Sequence, residues 1–200
     1  MSACSGILLA GGRSRRMGAD KATLPLQGRT LAERGVAVLG ELTDDVVLAR
    51  GTLAPLEIPG TREVPDPIEH AGPLAGLVAG LRAARHPRVA VLATDLLAPR
   101  ADVLARLIER LGAAQVAMPL VGGRPQPLHA AVARSSLSTL ERALAEGERR
   151  LLRALDALDV RLVGPEGWGD LDPDGGFARD ADVPGDLAGA TDAMGGSDRG

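Results

Sequence analysis

The sequence has no tyrosine, one tryptophan, one phenylalanine and one cysteine, and a single lysine, Lys21, stands among 23 basic residues. Two aromatic residues give no stacking platform, and a formal charge of −3 gives no basic footprint, so nucleic-acid partners are not expected. Cys4 alone cannot close an internal disulfide, and the separated His70, His86 and His129 supply no metal-ligand cluster. Cys4 reads as a small residue at a strand edge. No apolar stretch approaches the ~20 residues of a membrane span. Met1-Ser2-Ala3-Cys4-Ser5 lacks the basic start of a signal peptide and runs straight into a strand-like segment. The expectation is a cytoplasmic protein with no membrane partner.

What remains is enough for a core. The chain has 200 residues, 45% apolar and 24% charged, the balance of a single globular domain. Short apolar runs alternate with helical patterns. Gly6-Ile7-Leu8-Leu9-Ala10, ending in Gly11-Gly12, reads as a buried parallel strand. Thr30-Leu31-Ala32-Glu33 is a capping box that opens a helix to about Gly40. Strands are predicted at 45–49, 61–65, 88–93, 115–120, 128–133 and 159–163. Helices are predicted at 74–84, opened by Gly72-Pro73, then through Leu104 to Leu111, at 136–146 and at 149–158. This alternation predicts an α/β, Rossmann-like fold, a mostly parallel sheet with helices on both faces. The domain is expected over 1–188, with 189–200 as a disordered tail poor in core-forming residues. In such sheets ligands bind at the carboxyl ends of strands, here the loops after Ala10, Ala49, Pro65 and Ala93.

The first of these loops is the most informative. In Leu9-Ala10-Gly11-Gly12-Arg13-Ser14-Arg15-Arg16-Met17-Gly18-Ala19-Asp20-Lys21, paired glycines at a strand end let backbone N–H groups approach an anion, and four cations follow. The segment is neither a dinucleotide fingerprint nor a P-loop, yet its chemistry suits phosphate.

That segment, with Ala22 to Leu26, Gly28 and Leu31 after it, resembles the signature of the molybdopterin-type nucleotidyltransferases. The resemblance recurs at Asp66 followed by Gly72-Pro73-Leu74-Ala75-Gly76-Leu77, at Thr94-Asp95, at Pro125-Gln126-Pro127-Leu128-His129-Ala130 and at Gly147-Glu148-Arg149-Arg150. It covers roughly residues 5 to 187. It implies a Mg²⁺-dependent transfer of GMP from GTP to the terminal phosphate of molybdopterin or Mo-molybdopterin, with release of pyrophosphate. The Gly-Gly and Asp-Lys forms favour the guanylyl branch over the cytidylyl one. Leu9, Ala10, Gly11 and Gly12 are then expected against the nucleotide, and Asp66 maps onto a family aspartate.

Nucleotidyl transfer leaves positioning and charge neutralisation to the protein. Lys21, a compact ammonium, suits charge developing on the phosphates. Arg16 is expected to clamp the leaving pyrophosphate, while Arg13 and Arg15 face solvent. Asp95, just beyond a strand and too early to cap the helix near Pro99, is the expected Mg²⁺ ligand and the third catalytic residue. Asp180 or Asp182 is a candidate second carboxylate, where the family usually has an Asn-containing segment followed by Thr-Pro. Lys21, Asp66 and Asp95 complete the nucleotide-binding set. His129 faces either the acceptor or the core. Trp168 is a loop aromatic that either stacks on a pterin or does not engage it. Arg149, Arg150 and Arg153 meet the acceptor's anionic end or stay solvated. The family commonly has Asn where this chain has Ala49-Arg50-Gly51, and proline where it has Leu97; both bear on base preference or acceptor. Alternatives are the same fold with CTP or another phosphorylated acceptor, and a non-catalytic nucleotide- or cofactor-binding module. Molybdoenzymes or other cofactor-biosynthesis proteins are plausible recipients of the product.

Overall fold

The computed structural model describes residues 3–11, 20–51, 53–66, 68 and 72–181. Gly12, Arg13, Arg15, Arg16, His70, Asp182 and the 189–200 segment lie outside these residues. Strand β1, Cys4–Leu9, is buried along its whole length and lies at the middle of the main sheet. On one side it pairs in parallel with β4, Val46–Gly51, which pairs in parallel with β5, Thr61–Pro65. On the other side it pairs in parallel with β6, Arg88–Ala93. Next comes β9, His129–Ala133, antiparallel to both β6 and β7, Val116–Val121; β10, Val160–Val163, closes the far edge parallel to β7. The order is therefore β5-β4-β1-β6-β9-β7-β10. Two short pieces lie off this path: β8, Arg124–Pro125, pairs with β7, and β2, Pro25–Leu26, forms a hairpin with β3, Arg29–Thr30.

Alternation along the strands sends successive side chains to opposite faces. Ile7, Leu9, Val47 and Ala49 join one core with α2 (Pro73–Ala83), α4 (Leu137–Ala145) and α5 (Leu151–Leu155). Leu8, Leu48, Ala90 and Leu92 join the other with α1 (Leu31–Gly40) and α3 (Ala101–Leu111). The capping box read from the sequence is present: Glu33 N–H donates to Thr30 Oγ1 at 3.2 Å and Thr30 N–H to Glu33 Oε2 at 2.7 Å. Helix α2 lies close against the sheet because Gly80 has no side chain; a Cβ there would come within 2.6 Å of Ile7. Helix α5 is shorter than the predicted 149–158, because Glu148 accepts the N–H groups of Arg149 and Arg150 and Leu158 N–H turns back to Leu155.

The Gly/Asp/Pro-rich stretch after Gly164 is folded as far as Ala181. Short 3-10 turns at Pro165–Gly167 and Gly176–Ala178 seat Trp168 and Phe177 in the core. Among the described residues no helix is long and apolar enough to cross a membrane.

Candidate active site

The parallel strands run outward from β1 in both directions, so the crossover direction reverses between β1 and β6. At such a reversal α/β sheets bind ligands beyond the carboxyl ends of the strands. Thr94 ties the two ends together, its N–H and Oγ1 both donating to the Leu9 carbonyl at 3.2 and 3.3 Å. Ala10 N–H bonds to the Ala49 carbonyl at 2.8 Å, and the Cα of Gly11 faces the backbone of Arg50 and Gly51 so closely that a Cβ would lie 3.3 Å from Gly51 N.

Asp95 stands at the head of β6 and does not cap α3, whose cap position is Arg100. Its Oδ2 lies 3.2 Å from Lys21 Nζ, with the Lys21 and Asp95 side chains 18% and 28% exposed. Lys21 also donates to the Ala181 carbonyl at 2.8 Å. The chain returns to this point from 160 residues away: Ala181 N–H donates to the Asp95 carbonyl at 2.8 Å, and Asp180 bridges Leu96 in antiparallel fashion. Asp180, an exposed residue, is thus brought beside the metal candidate.

Lys21 begins a 3-10 turn, Lys21–Thr23, capped by Asp20, whose Oδ1 accepts from Ala22 N–H at 3.0 Å. The other carboxylate oxygen of Asp20 lies 2.9 Å from Arg50 Nη1, and Arg50 is 2% exposed. Asp66 follows β5 and packs against Gly51 and Gly76. Burial pushes its carboxyl up, against a hydrogen bond from the Gly51 N–H that favours the charged form. Its Oδ1 is buried and has no hydrogen-bond partner among the described residues, an acceptor suited to a ligand's hydroxyl or amine.

Leu9, Ala10, Gly11, Lys21, Asp66 and Asp95 are therefore gathered at one edge of the sheet. Other candidates are sorted by packing. His129 is 1% exposed, its Nε2 accepts from Arg100 N–H at 3.3 Å, and burial lowers its pKa to about 4, so it is a neutral core residue rather than an anion ligand. Trp168 is also unavailable for stacking on a ligand: it is 3% exposed, donates Nε1–H to the Val163 carbonyl and meets Phe177 edge-on. Arg149 turns back onto the Leu144 and Glu148 carbonyls. Arg150 and Arg153 instead line a groove of about 480 Å³ with Pro73, Pro127 and Leu128. Sequence reading missed Arg50 as a partner of Asp20 and the Ala181 carbonyl as a partner of Lys21. The signal for Arg50 was there, a charged residue at the end of a buried strand; the Ala181 contact had none.

A lysine–carboxylate pair beside a glycine-lined strand end, at the reversal point of a Rossmann-like sheet, suits a nucleotidyltransferase. Residues 6–160 match the family model described as the MobA-like NTP transferase domain, and the chain belongs to that family. A probable molybdenum cofactor guanylyltransferase of Chloroflexus aggregans is 37% identical over 198 residues, covering 92% of this chain and 91% of that protein. A molybdenum cofactor guanylyltransferase of Pseudomonas putida is 41% identical over 160 residues, covering 76% of this chain and 82% of that one. The fold is also that of molybdopterin-guanine dinucleotide biosynthesis protein A from Archaeoglobus fulgidus, with TM-score 0.80 at 24% identity over 96% of this chain and 98% of that one.

Proposed function

We propose that the chain transfers GMP from GTP to molybdopterin or Mo-molybdopterin, releasing pyrophosphate and forming molybdopterin guanine dinucleotide. The observation that carries this reading is the contact of the sole lysine with Asp95 at the reversal point between β1 and β6, 3.2 Å from nitrogen to oxygen. The relatives' names supply the nucleotide and the acceptor. The transferase unit is 1–188, acting in the cytoplasm, with molybdoenzymes or cofactor-biosynthesis proteins as recipients of the product.

An oxygen of the acceptor's terminal phosphate attacks the α-phosphorus of GTP; that P–O bond forms as the bond to the pyrophosphate oxygen breaks. The backbone at Ala10 and Gly11 lines the strand end where the nucleotide enters, with the Ala10 N–H held by the Ala49 carbonyl. Lys21 exchanges its contact with Asp95 for the phosphates and stabilises the charge that builds on them. Arg16 is assigned to the leaving pyrophosphate. Asp66 receives a polar group of the nucleoside on its unpartnered oxygen. Asp95, a partly exposed strand-end carboxylate, fits Mg²⁺, which binds through one or two carboxylates together with phosphate and water. Asp180 is the nearest second carboxylate along the chain's return. Mg²⁺ held by Asp95 would supply Lewis-acid polarisation of a phosphoryl oxygen. Arg150 and Arg153, with the apolar wall of Pro127 and Leu128, suit a flat acceptor carrying a phosphate.

The test is pyrophosphate release with molybdopterin and Mg²⁺, comparing GTP, CTP and ATP. Release with GTP that disappears in Lys21→Ala supports the assignment. Release with CTP and not GTP overturns the base assignment, and unchanged release in Lys21→Ala overturns the mechanism.

A further inference from the structure

We infer that Arg50 is a positioning residue for the transfer, a buried guanidinium that sets Lys21 through Asp20; this rests on the role proposed for Lys21. The last residues of β4 would suit apolar side chains, and Val46 to Ala49 are all buried. Arg50 continues that buried run at 2% exposure, so its charge has been taken out of water. Such a burial is unfavourable unless the charge is met, and what meets it fixes the local geometry.

Two groups meet it. Nη2 donates to the Ala54 carbonyl at 2.5 Å, and Nη1 lies 2.9 Å from Asp20 Oδ2. The second contact connects to the site. Asp20 uses one oxygen for Arg50 and the other for the Ala22 N–H, and the turn thus held begins with Lys21. Arg50 also lies close to Gly11: a Cβ there would lie 3.4 Å from the Arg50 carbonyl carbon. Gly11 and Asp20, the residues that flank 12–19, are both set against this one arginine. Its backbone packs closely against one and its side chain pairs with the other. The Lys21 ammonium is fixed at its tip by Asp95 and Ala181 and at its base by this ion pair. When a nucleotide displaces the Asp95 contact, the base remains.

A clamp of this kind acts on the rate more than on nucleotide affinity, because a displacement near 1 Å at a reacting centre costs on the order of 100-fold. In Arg50→Met, kcat is expected to fall about 10- to 100-fold with the KM for GTP changed less than about threefold. Arg50→Lys is expected to recover part of the rate, since one ammonium reaches Asp20 without the second arm to Ala54. Asp20→Asn, which keeps the turn's acceptor and loses the charge, reads the same link from the other side should Arg50→Met fold poorly. The Arg50→Met/Asp20→Asn double variant is expected to be no slower than the slower single.

A second readout needs no turnover. Lys21 is the only lysine, so acylation by an amine-reactive ester, followed by peptide mass mapping to set aside the N-terminal amine, reports this side chain alone. Its labelling is expected to rise severalfold in Arg50→Met and in Asp20→Asn. Unchanged labelling, or losses of kcat that multiply in the double variant, overturn the link. A lowered melting temperature with labelling and kcat per folded molecule intact makes Arg50 merely structural and also overturns it. If no nucleotide and acceptor pair turns over in the native protein, the transferase reading fails while labelling still decides the clamp.

Discussion

At the edge of the sheet opposite the site, Asp45 offers a sharp separation of stability from chemistry. It precedes β4 and is 2% exposed. Its Oδ2 accepts from Ser5 Oγ at 2.5 Å and from the Arg85 N–H at 3.0 Å, and its Oδ1 from Arg62 Nη2 at 2.5 Å. Burial alone pushes the carboxyl up, but these donors outweigh it and hold the pKa at about 2 against an ordinary 3.8. Ser5 and the Arg85 backbone contribute ahead of Arg62, whose side chain is 37% exposed and screened by solvent. Because the folded-state pKa is depressed, the stabilisation is present above the unfolded value and is lost as pH falls through about 2. Its size at neutral pH is roughly 2 kcal/mol. Asp45→Asn forfeits that charge-dependent share and about 1 kcal/mol or more in mismatched donors. Urea unfolding followed by circular dichroism should put the variant roughly 3 kcal/mol below the native protein at pH 7. Below about pH 4 the gap should shrink towards the pH-independent remainder. Activity per folded molecule should be unaltered, since the network lies at the far end of β1. A gap that stays constant from neutral pH to about pH 2.5 would refute the reasoning, because it would mean that the carboxylate's charge does not stabilise the fold.

Lys21→Arg keeps the charge but replaces a compact ammonium by a planar fork in a place fitted to Asp95 and Ala181; kcat in the pyrophosphate assay is expected to fall about 100-fold or more. Near-normal turnover would sink the argument for a point charge. Asp66→Asn should separate two properties. The acid's raised pKa means that ionising it opposes folding, so the amide should be the more stable form at neutral pH, and the gain should vanish below the ordinary carboxylate range. GTP binding by calorimetry should weaken at the same time. Equal stability at pH 7 would contradict the upward push on its carboxyl, and unaltered binding would contradict the role given to its unpartnered oxygen.

The fold was legible where local rules act alone. The apolar run 6–10, the Thr30–Glu33 capping box and the Gly72-Pro73 helix start each appeared in the structure, because alternation, caps and turn residues are written in short segments. The antiparallel sense of β9 was not legible, since a run such as Leu128 to Ala133 carries the same apolar pattern in either direction. The site divides the same way. Lys21, Asp66 and Asp95 could be named from strand-end positions and motif, but their partners could not. Arg50 meets Asp20 across 30 positions and Lys21 meets Ala181 across 160, and a pairing that long leaves no periodicity to read. Trp168 was misleading for a related reason: a Gly/Asp-rich stretch suggests an open loop, yet its turns fold the indole onto Phe177.

The reversed strand has one further effect. Because β9 runs against β6, its beginning rather than its end arrives beside Asp95, with the Leu128 carbonyl accepting from Ala93 N–H at 3.0 Å. The connection to that beginning starts with the β7–β8 hairpin, whose turn is Gly122-Gly123, both at positive φ and with open space around them, and ends in a second turn at Pro127-Leu128. The edge of the site on the Pro127 side is therefore furnished by a hairpin, while the β1, β4 and β5 side is furnished by crossovers. A hairpin can lengthen, shorten or change composition without re-registering the parallel strands. A change of length on the Pro127 side would therefore leave the β1, β4 and β5 strand ends, with Gly11, Gly51 and Asp66, in their present register.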